Sequence, residues 1–162
     1  MAELAVNSSE TDEIFMREAL AQARLAFDAG EVPVGAVIVR DGQIVSRGRN
    51  RRETGKNALY HAELEAIDAA CKTLGGWRLP GCTLYVTLEP CPMCAGAVIN
   101  SRVERVVFGA TDFRFGSVKS VQQIFSLPYN HQPAVTDGVL AEECTALLRE
   151  FFRRLRLKRG AQ

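Results

Sequence analysis

The residues with the most to say about chemistry are an imidazole, a carboxylate and two thiols. His61 and Glu63 flank Ala62, and Cys91 and Cys94 stand three apart within Pro90-Cys91-Pro92-Met93-Cys94. Imidazole and thiolate bind zinc well, and a catalytic zinc keeps three protein ligands and an open fourth position. His61, Cys91 and Cys94 make three. Two thiolates and a neutral imidazole roughly cancel the metal's charge, yet zinc still lowers the pKa of a water at the open position toward neutrality. Water activated in this way needs a proton carrier. Glu63, two residues from a ligand, can take and return that proton without binding metal.

Other readings of the same residues are weaker. A thioredoxin-like Cys-x-x-Cys redox pair leaves His61 and Glu63 with no task. A structural zinc needs a fourth ligand, and although Cys71, Cys82, Cys144 or His131 could supply one, none stands at a finger-like spacing. A capped helix with a solvated Glu63 and two inert thiols requires two motifs to meet in the correct order by coincidence. His-x-Glu followed by Pro-Cys-x-x-Cys is the known signature of zinc nucleobase deaminases.

The elements that must position these groups follow from periodicity and punctuation. Phe15, Ala19, Ala23, Ala26 and Phe27 share one helical face, which predicts a first helix over roughly Glu10 to Ala29. Val34–Arg40 and Gln43–Gly48 are β-rich runs joined by Asp41-Gly42, a strong hairpin signal. A second helix should start near His61 and stop at Gly75-Gly76. Thr83–Thr87 reads as a third strand, and Pro90 and Pro92 bracket the start of a third helix. Arg105–Phe108 and Pro133–Thr136 are two further strands, and Val139–Arg156 is a closing amphipathic helix. The alternation predicts an α/β/α sandwich. In it Cys91 and Cys94 share a face near a helix N-terminus, whose dipole favours thiolates. Positions i and i+2 lie about 200° apart on a regular helix, so His61 and Glu63 can face one metal only from the first turn.

Length and composition set outer bounds. The 162 residues fit one domain, 1–162, and 47% hydrophobic with 24% charged residues is the balance of a soluble globular chain. Met1–Asp12 is polar and acidic without an apolar core, and no eighteen apolar residues run together, so neither a signal peptide nor a membrane span is expected. Five cysteines, two of them in the metal motif, point to a reducing cytoplasm rather than a disulfide framework. A net charge of +1 is uninformative about polyanion binding, so any such surface must come from local clusters.

Two clusters exist. Arg47, Arg49, Arg51, Arg52 and Lys56 surround Asn50, while Arg149, Arg153, Arg154, Arg156, Lys158 and Arg159 crowd the closing helix. Phosphate contacts from such patches dominate nucleic-acid affinity, although each patch alone also fits a solvated surface. Phe113, Phe115 and Phe152 could stack on splayed bases or serve as packing contacts.

Beyond the two motifs, Glu31-Val32-Pro33-Val34-Gly35-Ala36-Val37, Leu84-Tyr85-Val86-Thr87-Leu88-Glu89-Pro90-Cys91, Val106-Val107-Phe108-Gly109-Ala110 and Phe151-Phe152-Arg153 extend the pattern along the chain. With these stretches the sequence resembles the bacterial tRNA-specific adenosine deaminase family, within the cytidine deaminase-like superfamily. The resemblance implies a five-stranded mixed sheet, one zinc per subunit, a homodimer whose interface helps build each site, and deamination of adenosine to inosine at the wobble position of a tRNA anticodon. Carried over by position, His61, Cys91 and Cys94 hold zinc and Glu63 shuttles protons. Asn50 contacts substrate, the Ala62 backbone and Leu88 line the base pocket, and Asp112 lies in the loop that contacts RNA; Arg114 in that loop and Phe152 in the closing helix are further candidates for substrate contact. A turn residue is the alternative for Asn50, and a cap or turn for Asp112. Glu89 could orient a ligand or satisfy a helix N-terminus.

Two stretches depart from the family pattern. Asn57-Ala58-Leu59-Tyr60 stands where Asp-Pro-Thr-Ala is usual, and Phe113-Arg114-Phe115-Gly116-Ser117-Val118-Lys119-Ser120 lacks the usual second glycine. Both lie where substrate is chosen. A deaminase of free bases or nucleosides, with Tyr60 closing the pocket, is therefore the alternative to a tRNA enzyme.

Overall fold

The computed structural model describes residues 8–161. Its first helix, α1 (Ser8–Asp28), buries Met16, Ala19, Leu20, Ala23 and Ala26, a stripe at helical spacing. Phe15 and Phe27, expected on that stripe, are half-buried at its margin, Phe15 against Tyr85 and Phe27 against Phe151. The polar stretch before Ser8 lies outside the described residues.

The strands are β1 (Gly35–Arg40), β2 (Gln43–Arg49), β3 (Cys82–Leu88), β4 (Arg105–Ala110) and β5 (Ala134–Thr136), in the order β2-β1-β3-β4-β5. β1 runs antiparallel to β2 and β3, while β3, β4 and β5 are parallel, so the sheet is mixed as expected. Asp41 and Gly42 both take positive φ (51° and 73°), the turn that matches strand twist in a two-residue hairpin. Helices α2 (Ala62–Leu74) and α3 (Pro92–Ser101) cover one face, and α1 with α4 (Ala141–Gly160) covers the other.

Side-chain alternation sorts the core between these layers. Ala36, Ile38, Leu84, Val86, Val106 and Phe108 point to α2 and α3, whereas Val37, Val39, Tyr85 and Val107 point to α1 and α4. Two glycines allow close contact. A Cβ on Gly35 would lie 2.1 Å from the Ala19 carbonyl oxygen of α1, and one on Gly48 would lie 2.2 Å from the Ala62 carbonyl oxygen of α2. Gly48 thus lets the first turn of α2 sit directly on β2.

Element boundaries differ from expectation in two places. Gly138 and Leu140 adopt positive φ (77° and 51°), which delays the closing helix to Ala141, and it then runs on to Gly160 with Lys158 and Arg159 at its negative end. A short 3-10 turn at Ile124–Ser126 buries Phe125 beneath α3, and no periodicity announced it.

Candidate active site

His61 is the N-cap of α2 and Cys91 the N-cap of α3, both with extended backbone (φ −85°, ψ 151° and φ −74°, ψ 174°). Neither side chain caps its own helix, so both are free to aim elsewhere. Pro92, with its pre-set φ, occupies the first turn of α3, and Cys94 follows on the first turn and is fully buried. The extended backbone at His61 removes the i, i+2 conflict. His61 lies before the helix and Glu63 within its first turn, so both reach the same space.

His61 Nδ1 stands 3.6 Å from Cys91 Sγ and 3.5 Å from Cys94 Sγ. All three ligand atoms fall within 4.8 Å of one another. Zinc–nitrogen and zinc–sulfur bonds of ordinary length meeting at the tetrahedral angle would separate N from S by about 3.6 Å. The triad therefore fits a zinc ion with three protein ligands. Among the described residues no fourth histidine, cysteine or carboxylate joins this group, and the buried acids Asp12, Glu31 and Glu89 are hydrogen-bonded elsewhere.

Electrostatics suit that use. Hydrogen bonding from Cys94, aided by His61, holds the Cys91 thiol down at about 4. Cys94 keeps the shared proton and is pushed up, chiefly by Cys91, and His61 is raised by its contact with Cys91. A zinc ion held by these three residues would take them deprotonated. Glu63 is 4% exposed, and burial pushes its carboxyl above the usual range. A buried carboxyl beside the ligands is placed to carry a proton as general acid and base.

His61, Cys91 and Glu63 open into a cavity of about 520 Å³ at the C-terminal ends of the parallel strands, with Cys94 buried behind them. Asn50, Ala62, Leu88 and Asp112, all singled out from sequence, line it, and so does Phe115. Asn50 also has a structural task, since its Nδ2 donates to the Val32 carbonyl (3.1 Å) and its Oδ1 accepts from the Arg52 amide (3.0 Å). Asp112 Oδ1 accepts from the amides of Arg114 (3.0 Å) and Phe115 (3.1 Å), so the turn reading of Asp112 holds beside its place in the cavity wall. Arg114 and Phe152 do not line the cavity. They border a larger adjoining groove of about 1490 Å³ that runs along α4 and also takes in Arg52, Arg149, Arg153, Arg156 and Arg159.

Tyr60 stays out of the cavity. Its ring packs against Gly55, where a Cβ would lie 2.3 Å from Cδ2, and the Arg51 guanidinium sits 5.0 Å from the ring centroid. The tyrosine braces the loop between β2 and α2 and does not close the pocket. Sequence reasoning left the task of Glu89 open. The carboxylate is buried, and although burial raises its pKa, hydrogen bonds from Ser120 and from the amides of Lys119, Ser120 and Asp112 outweigh that and hold it below the usual value.

Residues 9–110 match the model of the cytidine and deoxycytidylate deaminase zinc-binding region. The chain belongs to this family of zinc-binding deaminases. It is 54% identical over 151 residues to a tRNA-specific adenosine deaminase of Bacillus subtilis (strain 168), covering 93% of this chain and 94% of the relative. A solved structure from a study of A-to-I editing by tRNA:A34 deaminases at the wobble position of transfer RNA superposes with a TM-score of 0.80, at 44% identity over 83% of this chain and 98% of the other. A guanine deaminase from Bacillus subtilis shares the fold more distantly, with a TM-score of 0.60 and 31% identity over 93% of this chain and 94% of that one. The resemblance drawn from short motifs thus extends over nearly the whole length. Among the described residues no helix is long and apolar enough to cross a membrane.

Proposed function

We propose that this protein deaminates adenosine to inosine at the wobble position of a tRNA anticodon. The observation that carries the reading is the continuity of two spaces. The cavity that holds His61, Glu63 and Cys91 shares Val32, Arg52, Leu88, Asp112 and Phe115 with the arginine-lined groove. A base inserted in the cavity would leave its flanking phosphates along the groove, where Arg149, Arg156 and Arg159 make no ion pair among the described residues. The tRNA-specific adenosine deaminase activity for which the Bacillus subtilis relative is named, and the wobble-position editing of the superposed structure, agree with this layout.

His61, Cys91 and Cys94 would hold zinc, which when bound supplies a nucleophile at neutral pH by acidifying water. The chain's own groups do the rest. Glu63 takes the proton released as water adds to C6 of adenine and passes it to the ring nitrogen next to C6, then moves the proton of the added hydroxyl to the amino group, which leaves as ammonia as the C6 carbonyl forms. Water and adenosine are thereby converted to inosine and ammonia. Leu88 and the Ala62 backbone confine the base. Anticodon-loop nucleotides are unpaired, so splaying one into the cavity costs little.

The protein would act as a homodimer in the cytoplasm. Free cysteines without a disulfide suit that compartment, and α3 leaves Pro92, Met93, Gly96 and Ala97, an uncharged face beside the ligands, accessible to a second copy. Sedimentation of the intact protein checks the dimer. For the activity, zinc-loaded protein is offered an anticodon stem-loop with a wobble adenosine beside free adenosine, cytidine and guanine, and inosine and ammonia are measured. Inosine in the stem-loop supports the proposal. Ammonia from guanine or a free nucleoside alone would refute it.

A further inference from the structure

Beside Glu63, a second buried carboxylate lines the cavity and has a different task. Glu89 lies two residues before Cys91, is 2% exposed, and extends the β3–β4 pairing through its amide, which donates to the Ala110 carbonyl (2.8 Å). Its two oxygens gather five donors from one loop. Oε1 accepts from the Asp112 amide (3.2 Å) and the Ser120 hydroxyl (2.5 Å). Oε2 accepts from the amides of Val118 (3.3 Å), Lys119 (2.9 Å) and Ser120 (2.9 Å). One side chain therefore holds both ends of the segment 112–120.

The loop is shaped to accept it. A Cβ at Gly116 would lie 2.4 Å from Glu89 Oε2, so only glycine lets the loop close over the carboxylate. The Ser117 amide adds a bond to the Pro90 carbonyl (2.9 Å), the residue directly before Cys91. On its outer side the loop bears Asp112 and Phe115 at the cavity, and Phe113 and Arg114 in the groove. Phe113 and Phe115 are 84% and 63% exposed, so their own packing does not fix them. The opposite wall has a thinner version of the device, in which buried Glu31 accepts from the Glu53 amide (2.9 Å) and the Thr54 hydroxyl (3.4 Å).

We infer that Glu89 is a positioning residue for substrate: it indexes the substrate-contacting loop 112–120 to the Cys91–Cys94 segment, so that the wall of the pocket keeps a fixed distance from the reacting centre. The inference rests on the proposed function, in which that loop meets RNA. An ionised carboxylate is acceptor-only, and charge-assisted hydrogen bonds are about twice as strong as neutral ones. Glutamine preserves the shape but presents an NH2 group to N–H donors, leaving one set of donors unpaired in a buried place.

The test uses the zinc-loaded full chain and the variants E89Q and S120A, read by amide exchange, zinc content, and KM and kcat on the wobble-adenosine stem-loop. E89Q is expected to retain one zinc, to exchange the Val118, Lys119 and Ser120 amides at least tenfold faster, and to raise KM about tenfold with kcat within twofold. S120A, which removes one bond and leaves the carboxylate in place, moves both readouts in the same direction by less, and decides the question should E89Q not fold. Faster exchange with unchanged KM would overturn the role, as would a fall in kcat that tracks lost zinc. Wild-type protein that ignores the stem-loop yet deaminates a free base refutes the proposed function instead, and the same KM criterion is then applied to that base.

Discussion

The floor and the rim of the pocket are built in opposite ways. The floor consists of two helix starts pressed against a sheet, where Cys94 and Glu63 are buried and every reactive atom is set by backbone that has little freedom. The rim consists of two loops, each held by a buried carboxylate, and one face of α4, and from these exposed phenylalanines and arginines project. Chemistry needs ligand atoms placed to fractions of an ångström, which helices and strands provide. Recognition needs reach and charge, which loops provide, and here their freedom is limited by Glu31 and Glu89. Floor and rim should therefore fail in different ways when each is damaged.

The largest effect is expected on the floor. Removing zinc with a chelator should abolish turnover, added zinc should restore it, and metal analysis should follow activity one to one. Full activity in metal-free protein would dissolve the distinction between the two regions. A smaller but still large effect is expected from Gly48→Ala, which drives a Cβ into the Ala62 carbonyl and displaces the turn that carries His61 and Glu63. Overpacking of this kind costs about 1–3 kcal/mol, visible as a lower Tm, and zinc retention should fall with it.

Damage to the rim should leave the chemistry alone. Replacing Arg149 and Arg156 with alanine should weaken RNA binding and lower the slope of log affinity against log salt by about 2, one for each lost phosphate contact, with kcat unchanged. A lower kcat with an intact salt slope would mean that these arginines serve the floor. The smallest effect is expected from Tyr60→Ala. That ring braces Arg51 and Gly55 outside the cavity, so the loss should be about 1 kcal/mol of stability in thermal unfolding, with little change in KM. A large shift in base preference would show that Tyr60 reaches the pocket after all.

The same division explains what could be read from the sequence. His61, Glu63, Cys91 and Cys94 were legible because zinc chemistry demands those residue types, and because helix starts tolerate close spacing that helix interiors do not. The Asp41-Gly42 hairpin and the mixed sheet were legible for a similar reason, since both depend on local pattern. The work of Glu89 was not. Its donors lie 23 to 31 residues further along, and most are backbone amides, which carry no side-chain signature. Tyr60 was misleading because proximity in sequence to His61 says nothing about which way an extended segment turns its ring. Asn50 and Asp112 fell between, since a residue that shapes a turn can also wall a cavity, and only the hydrogen bonds show both.

The most direct test of this separation is Glu63→Gln in the zinc-loaded protein, with zinc content, stem-loop affinity and inosine formation measured on one preparation. The account predicts one zinc per chain and wild-type affinity, with turnover reduced by at least about 10²-fold, the lower end for loss of a general acid and base. Turnover near the wild-type rate, or loss of RNA binding together with activity, would contradict it.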